Sequence, residues 1–185
     1  MFRKFTPSEN VSGVNQLKSS VQRGIRAKIG EQYPQLEQEG VLDELMPKKC
    51  TMIVAKTDQK ANVVLVDNVP LFFQLRDGPY FPTLKLLHKY PDCMAKLRVD
   101  KGAIKFVFGG ANIMCPGLTS SGAVIHDNVP EDTPVAIYAE GKEHALALGI
   151  TKMSTADIKS VNKGIGVDTI HYLNDGLWKT DKFDM

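Results

Sequence analysis

Val99-Asp100-Lys101-Gly102-Ala103-Ile104-Lys105-Phe106-Val107-Phe108 runs into Gly109-Gly110, and then into Ala111-Asn112-Ile113-Met114-Cys115-Pro116-Gly117-Leu118. Residues 103–108 alternate well enough to predict a strand. Gly109-Gly110 breaks it. The four residues Ala111–Met114 fit one helical turn, which Pro116-Gly117 must stop. On such a strand Lys101 and Lys105 have like parity, so they share a face.

Carboxy-terminal to this stretch the chain is mostly β. Ala123–Ile125, Thr133–Ala139 and Ala145–Thr151 read as short strands. Ser154-Thr155-Ala156-Asp157 resembles a capping box, opening a helix with Ile158 and Val161 as core positions and a stop at Gly164. Thr169–Leu173 is a last strand, turned by Asn174-Asp175-Gly176 ahead of the lone Trp178. Trp178 is expected to plug the end of a barrel. Short strands with one or two small helices predict a compact, barrel-like β unit.

Amino-terminal to it the hydrophobic period is different. Val14, Leu17, Val21, Ile25 and Ile29 recur at three and four residues and predict one helix capped at Ser12. A shorter helix follows Pro34 and ends by Pro47. Met52–Ala55, Val63–Val66 and Leu71–Leu75 are β-rich, with turns at Asp58-Gln59-Lys60 and Asp67-Asn68, and predict an antiparallel meander. Pro82 opens a helix containing Leu84, Leu86 and Leu87. The fold class is therefore α+β: helices on a small antiparallel sheet, then a β pseudo-barrel. The expected division is 1–92, 93–178 and a tail 179–185, with the first ten residues and the tail as loose segments.

Composition narrows the function classes. With 185 residues the chain buries enough surface to fold without a metal or disulfide staple. Three widely spaced cysteines, Cys50, Cys93 and Cys115, exclude a disulfide scaffold and an all-cysteine zinc site. Cys115 is expected to be a packed, structural thiol. The four histidines show no metal-ligand spacing, and no nucleotide-hydrolysis glycine motif occurs. No cofactor, metal or catalytic group is expected. The start, Met1–Pro7, lacks an apolar signal core, and no stretch is apolar enough to span a membrane, so a cytoplasmic location is the default. The net charge of +2 neither demands nor excludes nucleic acid. Locally, Lys85, Lys89, Lys96, Arg98, Lys101 and Lys105 form a basic strip that suits phosphate contacts.

The segment Val99–Leu118 resembles the opening of a PUA domain. Matching pieces come in order at Ala147–Ile150, Met153-Ser154, Asn162-Lys163-Gly164 and His171–Trp178. Phe2-Arg3-Lys4-Phe5, Met46-Pro47-Lys48-Lys49, Gly78–Leu84 and Leu87–Pro91 extend the likeness across nearly the whole chain. Together they resemble the malignant T-cell-amplified sequence family of translation factors. The resemblance implies a non-enzymatic protein that pairs with density-regulated protein. It implies action on the small ribosomal subunit, in release of tRNA and in re-initiation.

Within that frame the candidate RNA-binding residues are Lys101, Lys105, Gly109, Gly110, Asn112, Met114, Pro116, Gly117 and Leu118. Glycines let the backbone approach ribose-phosphate closely, and turn amides pointing outward bind anions. Phe72, Phe73, Tyr80 and Phe81 are the candidate patch for the protein partner. Two alternatives stay open: an RNA-modification protein whose site lies in residues 1–92, and a pure docking adaptor.

Overall fold

The computed structural model describes residues 1–184. An α+β chain builds two sheets. The first sheet takes five strands in chain order, all antiparallel: β1 (Val11–Gln16), β2 (Met52–Thr57), β3 (Ala61–Val66), β4 (Val69–Leu75) and β5 (Tyr80–Pro82). Asp67 and Asn68, both with positive φ, close the two-residue hairpin between β3 and β4, the primed turn that matches strand twist. Helices α1 (Pro7–Asn10), α2 (Ser19–Gln32), α3 (Pro34–Gln38), α4 (Val41–Leu45) and α5 (Leu84–Lys89) accompany this sheet. Thr83 caps α5 by accepting from the Leu86 amide.

The single helix predicted from Ser12 to Ile29 is two elements. Val11–Gln16 is an edge strand on β2, and the helix starts only at Ser19. Gly13, a poor helix former, sits at a bulge in that strand. Val14 points to solvent instead of joining the stripe, while Ile29 is buried in the core.

The second sheet has six strands in the order β7-β11-β10-β9-β6-β8. They are β6 (Ala95–Val99), β7 (Ile113–Met114), β8 (Val124–Ile125), β9 (Pro134–Ala139), β10 (Ala147–Thr151) and β11 (Ile165–Tyr172). The β6–β9 pair is parallel and the others antiparallel. Three helices join it: α6 (Ile104–Phe108), α7 (Pro116–Thr119) and α8 (Thr155–Val161). Ser154 caps α8 by accepting from Asp157, and Asn162, in the left-handed region, ends it.

The two units share a core. Adjacent strand residues face opposite ways, and on β4 both faces are covered. Phe72 stacks on Tyr33 of the helical layer. Phe73 packs on Phe81 and meets Phe2 and His171 edge-on. The first sheet is thus a middle layer, with helices on one side and the amino-terminal segment and second unit on the other. This overturns the expected partner patch. Phe72, Phe73 and Phe81 are fully buried and Tyr80 nearly so, and they offer no aromatic surface to another protein.

The expected loose ends are also corrected. Phe2 and Phe5 are buried, and the Gly176 amide donates to the Phe2 carbonyl at 2.7 Å. In the tail, Phe183 is buried against Phe5, its amide donates to the Asn68 carbonyl, and Asp181 pairs with Lys85. Aromatic side chains within polar segments pull both ends onto the fold. Trp178 does not plug a barrel. It lies half-buried at the seam, 5.3 Å from the His88 ring and beneath the Lys85 ammonium.

Candidate functional site

Asp100 organises the segment that was expected to be a strand. Its carboxylate accepts from the Ala103 amide at 3.0 Å, capping a 3-10 turn over Lys101–Ala103 that continues into α6. It also accepts from the Ser120 hydroxyl, which ties the turn to the end of α7. Residues 104–108 are therefore helical, and Val107 is the side chain that buries. Phe106 and Phe108 stay outside. Lys101 and Lys105 still share a face, because four residues separate them on helical turns.

Gly109 and Gly110 end α6. Their amides donate back to the Lys105, Phe106 and Val107 carbonyls, so they do not point at a ligand as expected. Gly110 has φ +80°, and a Cβ there would meet the Tyr172 ring at 3.0 Å. Its smallness serves packing and backbone geometry. The chain then joins the sheet. Asn112 accepts from the Thr169 amide at 3.2 Å, and Thr169 donates its hydroxyl to the Ala111 carbonyl. Ile113-Met114 is strand β7, paired to β11, where a helical turn was predicted. Pro116 opens α7 instead of stopping a helix, a position that suits its missing N–H. Leu118 faces the core and is removed from the ligand-facing set.

Between α6 and the β7–α7 turn lies a groove of about 630 Å³. Phe106, Met114 and Ile165 wall it, 58%, 49% and 40% exposed. Ala103 and Gly117 form its small-residue floor. Asn112 lines it with its amide oxygen already engaged, which leaves the NH₂ to donate. The Lys105 ammonium stands 5.1 Å from the Phe106 ring centroid, and Lys101 is exposed one turn earlier. Of the candidate residues, the groove gathers Asn112, Met114, Pro116 and Gly117, with the two lysines alongside. Phe106 and Ile165 were not singled out from the sequence. Phe106 looks like an inward strand position, and only the helical reading turns it outward.

Three of the six residues of the basic strip are engaged elsewhere, while Lys89 is exposed and has no ion pair among the described residues. Lys85 is paired with Asp181, and Lys96 with Asp92 at 2.7 Å. Arg98 donates to the Gly122 carbonyl at 3.0 Å. Lys101 and Lys105 are left beside the groove, without an ion pair among the described residues.

An exposed ring flanked by cations over a small-residue floor accepts a flat, anionic ligand: stacking on the ring, charge on the lysines. Cys115 is buried behind it, and burial pushes its thiol pKa up, which disfavours the nucleophilic thiolate. Burial also pushes Cys93 up, to about 12. Among the described residues no group of three or more His, Cys, Asp or Glu side chains is placed to hold a metal. No helix among them is long and apolar enough to cross a membrane.

Residues 5–91 match the Pre-PUA-like domain family and residues 95–173 the PUA domain family. Malignant T-cell-amplified sequence 1-A of Xenopus laevis is 53% identical over 178 residues, covering 96% of this chain and 97% of its own length. The Drosophila melanogaster homolog of malignant T-cell-amplified sequence 1 is 52% identical over 181 residues, covering 97% and 98%. The Dictyostelium discoideum homolog is 47% identical over 184 residues and covers 100% of both. The fold also resembles solved archaeal structures. A hypothetical protein of Pyrococcus horikoshii superposes with a TM-score of 0.69 at 24% identity, covering 91% of this chain and 99% of its own. A PUA domain from Aeropyrum pernix gives 0.66 at 23%, covering 90% and 89%.

Proposed function

The chain belongs to the malignant T-cell-amplified sequence family, and from that membership we propose that it is a non-enzymatic translation factor that holds RNA in the groove beside Phe106. The exposed Phe106 ring, with Lys105 over it and Met114 and Ile165 opposite, is the observation that carries the reading. An unpaired nucleotide stacks on that ring, its phosphates lie along Lys101 and Lys105, and the Asn112 NH₂ donates to a base edge. Recognition of this kind needs a splayed base, so the groove suits a single-stranded end or loop better than a continuous duplex.

The family likeness gives the finer reading. The protein works in the cytoplasm with density-regulated protein on the small ribosomal subunit, in tRNA release and translation re-initiation. The proposed chemistry is binding and release, with no covalent step. The hydroxyl–carboxylate pair at the groove, Ser120 donating to Asp100, ties α7 to the turn that Asp100 caps, and its role in this reading is structural. The test is binding of purified protein to tRNA and to small ribosomal subunits, with and without density-regulated protein. Saturable, salt-sensitive tRNA binding that fails in Phe106→Ala supports the reading. Binding unchanged in Phe106→Ala, or a new modified base in recovered tRNA, overturns it.

A further inference from the structure

Met46-Pro47-Lys48-Lys49 is shaped as a turn. The Cys50 amide donates to the Pro47 carbonyl at 3.2 Å, which places Lys48 and Lys49 at the tip. Met46 is buried in the core and anchors the turn. Opposite lies α2. Ser19, Gln22, Arg23 and Arg26 from that helix, with Asp43 of α4 and Pro47 and Lys48 from the turn, line a groove of about 390 Å³. Arg26 of α2 pairs with Asp43 of α4 and with Glu37, which braces the two walls and occupies both carboxylates. Lys18, Arg23, Lys48 and Lys49 are exposed, and none pairs with an acid among the described residues.

We infer that this groove is a second RNA contact, which grips the phosphate backbone of a structured RNA without reading its bases. The inference rests on the reading that the protein works on RNA. Charge complementarity points to a polyanion, and the lining points to nucleic acid. Protein interfaces centre on exposed aromatic or apolar anchors. Here the two methionines that reach the groove, Met46 and Met52, are buried beneath it, and no aromatic side chain lines it. Cations, a hydroxyl and an amide are the groups that phosphate and ribose oxygens take up, and the lining carboxylate, Asp43, is neutralised by its pair with Arg26. The pre-PUA cations fix the body of the RNA while the Phe106 groove holds its unpaired end.

The experiment compares two RNAs by fluorescence anisotropy across a salt series: a hairpin with an unpaired 3′ extension, and that extension alone. The variants are Arg23→Ala/Lys48→Ala/Lys49→Ala, its charge-keeping counterpart R23K/K48R/K49R, and Phe106→Ala. All are first checked for an unchanged thermal melt, and any that melts low is replaced by its single substitutions. The triple alanine variant should bind the hairpin more weakly, with a salt slope smaller by about two units, and bind the extension as the unaltered protein does. The charge-keeping variant should restore the hairpin slope. An unchanged hairpin slope in the triple alanine variant overturns the inference. So does loss of binding to a poly-glutamate peptide with hairpin binding intact, which would make the face a dock for an acidic protein. Phe106→Ala with no effect on either RNA, beside a weakened triple variant, would sink the first groove and leave this one standing.

Discussion

His171 Nδ1 lies 2.6 Å from Asp175 Oδ2, and both side chains are buried at the junction of the two sheets. The same carboxylate accepts from the Tyr172 and Trp178 amides at 3.0 and 2.9 Å. Phe2 and Phe73 meet the His171 ring edge-on. One acid thus fixes the Asn174-Asp175-Gly176 turn, orients the histidine and seats the amino-terminal hook. Removing one member of a buried, hydrogen-bonded pair leaves the other without its partner. Asp175→Ala should therefore cost about 3 kcal/mol of stability, seen as a lower urea midpoint. RNA binding by the fraction that remains folded should persist.

Gly176 comes directly after that acid, and the hook passes over it. A Cβ at this position would lie 2.1 Å from the Phe5 carbonyl oxygen, which is backbone and does not swing away. Gly176→Ala should push the hook off the turn and destabilise by roughly 1–3 kcal/mol. Limited proteolysis should then cut within the first ten residues, which the unaltered protein protects.

The tail is held from the other side. Phe183 is buried against Phe5, and deleting residues 183–185 removes that ring. Phe183→Ala should cost about 3 kcal/mol, within the range for a buried phenylalanine. Asp181→Asn should cost far less, because that carboxylate is exposed and its pair with Lys85 is screened by water. Thermal melts of the two variants distinguish ring burial from charge pairing as the tail's anchor.

These end contacts are the part of the fold least legible in the sequence. Met52–Ala55, Val63–Val66 and Leu71–Leu75 announce themselves through β-rich runs and an Asp67-Asn68 turn, and all three form, each two residues longer than it reads. Phe2, Phe5 and Phe183 sit among charged neighbours, so no periodicity marks them as core. Phe72 and Phe73 fail as a partner patch for a related reason. An isolated sheet has one dry face, but here the second unit covers the other, and that depends on tertiary packing. In the groove, alternation of Ile104, Phe106 and Phe108 mimics a strand. Asp100 caps the opposite choice, and with it Phe106 turns outward. Pro116 is legible as punctuation, but its place at the start of α7 depends on β7 pairing with β11.

His88 gives the fold a pH dependence. Its Nε2 lies 2.8 Å from the Ala145 carbonyl, its ring stacks on His144, and Trp178 and Lys85 close the cluster. Burial lowers its pKa below the usual 6.5; the carbonyl bond partly offsets this, and His144 adds to the lowering. In the window between the lowered folded value and 6.5, the unfolded chain binds more protons than the folded one. Stability is therefore fully present above about pH 6.5 and is lost as pH falls through that window. His88→Gln should flatten this part of the pH profile of the urea midpoint. An unchanged profile would place the acid sensitivity elsewhere.

Phe106 and the lysines should separate in RNA binding. Phe106 is exposed, so Phe106→Ala should leave stability within about 0.5 kcal/mol. Loss of one stacked base should weaken RNA binding by roughly 1–3 kcal/mol, with little change in salt slope. Lys101→Ala/Lys105→Ala should do the reverse: a modest loss at high salt, and a slope reduced by up to about two units. Anisotropy titrations across a salt series read both quantities. If the lysine pair leaves the slope untouched, phosphate does not run along this face of α6. If Phe106→Ala changes the slope as much as the lysines do, the ring acts by holding Lys105 in place and not by stacking.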